Sequence, residues 1–264
     1  MSKKMIMLKR VFHEYGWEGV KVLIYYLKYK KGFRNKNKLE WVYSRSVGHD
    51  ICFRPYTTDI CLMINLFCRP LDGGGIEYRI DDGILGKNPQ VIIDAGANIG
   101  LFTLIYKKKY PQAQFVCIEP DEENFDILQR NVGKLSGVKC VLGGLWNADC
   151  YLRNKDRGTG EWGITVEECG GEESDCRGYS MASLMSMVSA EKIDICKMDI
   201  EGSEADVFEK NYQNWIERID SYIIETHDRI RPGVENRIIN LFKIYGYKYI
   251  RNGENIVFYQ EHKE

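Results

Sequence analysis

The sequence predicts an α/β fold: a mostly parallel sheet with helices on both faces and an antiparallel last strand, preceded by an N-terminal helical and hairpin extension. Three observations carry this. Val91–Asp94, Phe115–Glu119, Val138–Leu142, Ile193–Met198 and Ser221–Thr226 are continuous runs rather than alternating ones, the pattern of strands buried on both faces. Helical stretches alternate with them, which argues a parallel sheet with crossovers. Tyr247–Arg251 and Asn255–Tyr259 flank Asn252-Gly253-Glu254, a hairpin signal that reverses the final strand.

The elements follow in order. Residues 4–30 are expected to be helical, with a break at Gly16 and Gly19. Leu39–Arg45 and Asp50–Arg54 read as a hairpin around Val47-Gly48-His49. Thr57 or Thr58 can cap a helix through Phe67, with Asp59 in its first turn. Gly73-Gly74-Gly75 reads as a turn and Ile76–Ile80 as a short strand. A glycine loop follows Asp94 and opens a helix to about Lys109; another runs from Glu119 to about Val132. Residues 147–180 carry Gly158, Gly160, Gly163, Gly170 and Gly171. They read as an irregular excursion over the active face, with a weak strand near Ile164–Glu167. The division expected is 1–85 for the extension and 86–264 for the sheet-bearing domain.

The 264 residues, 44% hydrophobic, suffice for one α/β core with an extension. Residues 1–38 hold eleven Lys/Arg against Glu14 and Glu18, a local charge of +9 within a chain of net −1. Such an arm is either a solvated helix pair or a contact for an anionic membrane or partner, through Lys3, Lys4, Lys9, Arg10, Lys28, Lys30 and Lys31. The nine cysteines include no C-x-x-C pair, so no zinc ribbon or thiol redox site is read, and dispersed thiols suit a reducing cytoplasm. Val20–Tyr29 is interrupted by Lys21 and Lys28 and is too short to span a bilayer.

In an open parallel sheet, ligands sit at the carboxyl ends of the strands. Asp94, Glu119, Asp199 and Glu225 stand at four such ends. The loop Asp94-Ala95-Gly96-Ala97-Asn98-Ile99-Gly100 is not G-x-G-x-x-G. A carboxylate at Asp94 would repel a dinucleotide's pyrophosphate but attract the ammonium and sulfonium of S-adenosylmethionine. Glu119, 25 positions on and followed by Pro120, stands where an acid binds a ribose diol.

Three segments carry a family likeness: residues 94–100, Ile118-Glu119-Pro120-Asp121 with Asn124-Phe125, and Met198-Asp199-Ile200-Glu201-Gly202-Ser203-Glu204. They resemble the FkbM family of methyltransferases, as does Arg54 with Thr58-Asp59, over roughly residues 50–230. The resemblance implies a class I methyltransferase with a Rossmann-like sheet, S-adenosylmethionine as donor, and O-methylation, often of sugar hydroxyls on glycans or natural products. It implies that Asp94, Gly96, Asn98, Gly100 and Glu119 bind the cofactor, with Ala97 and Pro120 expected beside them, and that Asp199, Glu201 and Glu204 line the active face. Glu225-Thr226-His227 is similar to an acid and histidine that end the family's fifth strand, although Thr226 replaces an apolar residue.

Transfer to a neutral hydroxyl calls for a base. His227 is the first candidate, as a neutral imidazole near pH 7; a packing histidine is the alternative. Asp199 and Glu201 are the other catalytic candidates. Glu204, Glu225 and Asp59 are expected at the acceptor, though Glu201 and Glu204 also suit a helix's first turn, and Asp59 a surface cap. Ser203 reads as an N-cap. Trp146 is expected to cover adenine or to belong to the core, and Trp162 flanks the same excursion. No dedicated metal spacing is read, so no metal is assigned, and a loosely held Mg²⁺ between strand-end carboxylates stays an open alternative. A nucleic-acid methyltransferase is disfavoured by the acidic body, and an amino-group methylase by the absence of N-P-P-Y at the fourth strand. A nicotinamide oxidoreductase is opposed by Asp94, and an inactive binding module by the retained acids.

Overall fold

The computed structural model describes residues 3–69, 78–155 and 165–260. Helix α1 (Lys3–Tyr15) and helix α2 (Gly19–Lys30) are joined by a 3-10 turn at Gly16–Glu18. The expected break exists because the two helices pack closely: a Cβ at Gly19 would lie 3.0 Å from Val11 Cγ1 and 3.1 Å from its carbonyl oxygen. Strands β1 (Glu40–Ser44) and β2 (His49–Phe53) form the expected hairpin, with Ser44 opposite His49. Helix α3 (Asp59–Met63) continues as a π-helical stretch, Ile64–Cys68. Thr58 sits at its N-cap without a side-chain capping bond; Thr57 Oγ1 accepts from Asp59 N, at 3.2 Å. The turn at Gly73–Gly75 lies outside the described residues, as do Ile76 and Glu77; Tyr78–Ile80 do not form a strand. The short helix α4 (Asp82–Leu85) leads into the sheet.

The β/α alternation then runs β3 (Val91–Ala95), α5 (Leu101–Lys109), β4 (Gln114–Glu119), α6 (Glu122–Val132) and β5 (Val138–Leu142). A smaller sheet follows, made of β6 (Gly144–Trp146), β7 (Cys150–Lys155), β8 (Thr165–Glu168) and β9 (Cys176–Ser180). Helix α7 (Met181–Ser186) returns the chain to β10 (Ile193–Met198), α8 (Glu204–Val207), β11 (Ile219–Glu225), α9 (Val234–Ile244), β12 (Lys248–Asn252) and β13 (Asn255–Tyr259).

Among the described residues the main sheet has the order β12-β13-β11-β10-β3-β4-β5. Neighbours from β11 to β5 pair in parallel, and β13 is antiparallel to both β11 and β12. The strand order reverses between β3 and β10, so ligands are expected above their carboxyl ends. Both faces are covered. Ile92, Phe115, Ile195 and Ile223 belong to one buried cluster with Val11, Val22, Ile51 and Ile60 of the extension. Ile93, Val116, Cys196 and Ile224 belong to a second with Leu184, Ile238 and Phe242. This two-sided burial is why the strands read as continuous apolar runs.

The excursion at 147–180 is more regular than expected. Strand β7 pairs antiparallel with β8 and β9, while β6 pairs parallel with β9. Its glycines do not all mark loops: a Cβ at Gly178, within β9, would lie 2.6 Å from Cys150 Sγ across the strand pair. Gly158, Gly160, Trp162, Gly163 and Ile164 lie outside the described residues. All nine cysteines are free. No helix among the described residues is long and apolar enough to cross a membrane.

Candidate active site

The glycine loop sits at the strand-order switch. Gly96 N and Ala97 N each donate to Ile118 O at 3.0 Å, which folds the loop over the end of β4. A Cβ at Gly96 would stand 1.7 Å from Asp199 O, so only glycine lets the loop meet the end of β10. Ala97 is buried beneath the loop. Gly100, at φ +86°, opens α5. Its missing side chain makes room for Leu128 of α6, 2.9 Å from an ideal Cβ.

Glu119 is 5% exposed and lines the cleft with Pro120, Gly96, Asn98 and Asn124. Its carboxylate accepts from Asn98 N at 2.8 Å and Asp121 N at 3.1 Å. Burial pushes its pKa up to about 7, and those N–H donors oppose the shift. Asn124 Nδ2 lies 3.4 Å from Glu119 Oε1. Behind it, Arg54 Nη2 donates to Asn124 Oδ1 at 2.5 Å and to Asp59 Oδ1 at 2.8 Å. Arg54 Nε and Arg54 N both donate to Asp59 Oδ2, at 2.9 and 2.8 Å. Asp59 therefore does not reach an acceptor. It is fully buried, because it neutralises the arginine that holds Asn124 against Glu119.

Asp94 requires a similar correction. It is absent from the cleft's lining and fully buried. The register of β10 on β3 sets Lys197 beside Asp94, and Lys197 Nζ lies 3.3 Å from Asp94 Oδ1. Thr103 Oγ1 donates to Asp94 Oδ2 at 2.7 Å. Burial pulls the pKa of Lys197 down, but the carboxylates of Asp94 and then Asp199 outweigh it, so the net shift is upward. The ammonium donates to Gly96 O at 2.5 Å and Ala95 O at 3.3 Å. Asp94 thus acts on the cofactor loop through a lysine that the reading of residues passed over. Its signal was a lone cation in the buried run Ile193–Met198.

Trp146 is buried too, in an apolar cluster with Leu152, Val166 and Cys176. Its neighbour Leu145 lines the cleft instead, since successive strand residues face opposite ways. Ile118, Leu145 and Val166 supply the cleft's apolar wall, and Gly96 and Gly144 leave it unobstructed. The cleft thus joins an apolar wall to polar groups, Glu119 among them, at its rim.

The other wall is acidic. Asp199 and Glu201 line the cleft, and Glu201 takes the left-handed conformation at φ +54°. Thr165 Oγ1 of β8 donates to Glu201 O at 2.9 Å, which ties the smaller sheet to this turn. His227 is 3% exposed. Its Nδ1 is 3.0 Å from Glu204 Oε1. Its Nε2 faces Glu201 Oε2 at 3.3 Å, Glu225 Oε1 at 3.7 Å and Asp199 Oδ1 at 3.8 Å. Burial disfavours the imidazolium, but Glu204, then Asp199 and Glu201, more than compensate, so the pKa of His227 is raised. The expectation of a neutral imidazole at pH 7 is therefore corrected: the carboxylates of Glu204, Asp199 and Glu201 favour its charged form. The pKa of Glu201 is pushed up to about 7 by burial and by Asp199, with His227 opposing.

Glu204 does not reach the cleft. Fully buried, it accepts from Ile200 N at 3.2 Å and Gly202 N at 3.3 Å and so braces the turn beneath Glu201. Ser203 precedes α8 but makes no side-chain capping bond. Ligand atoms of Asp199, Glu201 and His227 lie within 4.8 Å of one another, so the three can hold a metal ion. The sequence showed no such grouping, because Asp199 and Glu201 lie in the turn after β10 and His227 beyond the end of β11.

Comparison with known proteins joins this geometry to a family. The profile described as the methyltransferase FkbM domain matches residues 94–249. Methyltransferase sdnD of Sordaria araneosa is 30% identical over 198 residues, 60% of this chain and 75% of its own length. Methyltransferase 1 of Beauveria bassiana is 28% identical over 160 residues, 52% of this chain and 64% of that relative. A crystal structure of methyltransferase FkbM from Methylobacillus flagellatus aligns with a TM-score of 0.45 at 14% identity, over 66% of this chain and 44% of that one. The matched profile covers more than half of the chain, and the protein belongs to the FkbM family of S-adenosylmethionine-dependent methyltransferases, built on the class I α/β fold.

Proposed function

We propose that this enzyme methylates a hydroxyl oxygen of a small-molecule acceptor, a sugar of a glycan or of a glycosylated natural product. The observation that carries the reading is the carboxylate wall opposite Glu119, where Glu201 faces the cleft with a pKa of about 7. A hydroxyl must lose its proton as it is methylated, and a base poised near the working pH suits that task. S-adenosylmethionine, when bound, supplies a methyl group activated by its sulfonium. Glu119 and Asn98 hold the ribose end, and Gly96 with Lys197 shapes the loop around the tail. Asp199 and Glu201 orient the acceptor hydroxyl, and Glu201 takes its proton. His227 stays charged and keeps the clustered carboxylates together. Glu225 completes the ring around it. Orientation of acceptor against donor contributes about 7–11 kcal/mol in such reactions.

A second reading rests on the same wall. A divalent cation on Asp199, Glu201 and His227 would displace the imidazolium proton and hold an acceptor oxygen as a Lewis acid. The extension, 1–85, is proposed to support the domain at 86–264. Its basic segment is proposed to meet an anionic membrane or glycan-assembly partner in the cytoplasm.

The test is methyl transfer to a panel of saccharides and glycosylated polyketides, alongside amines, RNA and DNA, with and without a chelator. Methylation confined to hydroxylated acceptors is expected. Methylated amine or nucleic acid would overturn the reading. Loss of activity with chelator, restored by Mn²⁺ or Mg²⁺, would select the metal-assisted form.

Cofactor affinity should depend on pH. Ionised Glu119 accepts from both ribose hydroxyls, so affinity for S-adenosylhomocysteine is expected to rise as pH increases through about 7. Glu119→Gln should bind roughly 10- to 100-fold more weakly, as expected for losing hydrogen bonds to a charged group, and its affinity should not follow pH. Calorimetric titration at several pH values checks this, and a wild type indifferent to pH would refute it.

A further inference from the structure

A second cavity, of about 490 Å³, lies away from the transfer site. Lys108 lies on its wall, eight residues beyond Gly100 along α5, or about 12 Å along the helix axis. It therefore sits toward the edge of the sheet opposite the glycine loop. Arg10 and His13 of α1, Arg45 of the β1–β2 turn and Arg79 also line it. No basic run in the sequence makes this group; the fold gathers it from four separate segments.

Glu14 is the carboxylate in the lining, and it is already engaged. It accepts from the Ser44 hydroxyl, from Ser46 N at 2.9 Å and from Ser46 Oγ at 2.6 Å. It thereby fixes the turn that presents Arg45. Lys108 Nζ donates to Arg45 O at 2.7 Å, which locks helix and turn together. Among the described residues, Arg45, Arg79 and Lys108 form no ion pair. Phe67, 3% exposed, gives the cavity an apolar floor, and a low-dielectric wall strengthens the field above it.

We propose that this cavity binds a phosphate or diphosphate group, at a site separate from methyl transfer. Converging guanidinium groups match phosphate oxygens in pairs, and an ammonium adds a point charge. The group can come from a free phosphorylated metabolite or from a lipid headgroup. Like charges on flexible, exposed side chains are tolerable while the cavity is empty. Their gathering on the lining of one cavity, beside a carboxylate already engaged, is what a dianion would use.

The experiment titrates inorganic diphosphate into the full chain by calorimetry, and separately sediments the protein with vesicles of equal parts phosphatidic acid and phosphatidylcholine. Arg45→Glu/Arg79→Glu is expected to weaken diphosphate binding at least about tenfold, the scale of one charged hydrogen bond. Both positions are exposed, and unchanged S-adenosylhomocysteine binding will show that the variant folds. Lys28→Glu/Lys31→Glu makes the same charge change on the exposed end of the arm and should leave diphosphate binding intact. Diphosphate binding without vesicle binding assigns a free ligand; vesicle binding that needs Arg45 and Arg79 assigns a headgroup. Binding of neither probe, or equal loss in the arm variant, overturns the proposal.

Discussion

Glu201→Gln should lower kcat/KM for the acceptor by about 10²–10⁴-fold, the usual worth of a positioned base, while S-adenosylhomocysteine binds as before. The amide keeps the size of the side chain and the Thr165 bond to the Glu201 carbonyl, so the turn should survive. What it loses is the proton acceptor. The pH profile gives the sign. Glu201 must be ionised to act, so wild-type kcat/KM at saturating cofactor should rise as pH passes through about 7. Glu119 titrates in the same range, and saturating cofactor removes its contribution from the profile. The variant should show no such rise. A Glu201→Gln enzyme with wild-type turnover would move the base elsewhere on the wall.

The largest stability effect is expected from Lys197→Met. Removing one partner of a buried ion pair leaves the other charge uncompensated, at a cost of about 3–5 kcal/mol. Here the orphan would be Asp94, fully buried, with Thr103 as its remaining donor. Gly96 O and Ala95 O would also lose the ammonium that draws them together. The variant should melt roughly 10 °C lower in differential scanning calorimetry and bind S-adenosylhomocysteine more weakly. Adding Asp94→Asn should recover part of the stability, because the stranded charge is gone. A single variant as stable as wild type would show that the pair carries no weight in folding.

These two residues show where a reading of residues succeeds and where it stops. The strands and glycine loop were legible because burial on both faces and left-handed turns leave local marks: Val91–Ala95 and Gly96–Gly100 need no distant partner to be recognised. The role of Asp94 was not. Which residue stands beside it depends on strand order, and Lys197 comes from a strand 100 residues later. Asp59 and Glu204 looked like acceptor contacts, yet each is buried beneath the site, Asp59 by the nearby Arg54 and Glu204 by Ile200 N and Gly202 N of its own turn and by His227. His227 was located, but its raised pKa follows from Asp199 and Glu201 in the turn after β10 and from Glu204 at the start of α8, brought to it by the fold. Of the smaller sheet only β8 was legible, as the weak strand near Ile164–Glu167; β6 has three residues, too short for a periodic signal.

The chain Asp59–Arg54–Asn124–Glu119 has a further consequence. If Glu119 holds the donor's ribose, as proposed, this makes the N-terminal segment a tuner of donor affinity although none of its described residues lines the cleft. A chimaera that grafts another relative's first 85 residues onto this domain would therefore inherit that relative's setting of the ribose carboxylate. Such a graft would succeed only when the incoming arginine–aspartate pair meets an asparagine at position 124. The recombination unit that natural exchange or library design can shuffle is thus set by this buried relay, not by the visible junction between extension and sheet.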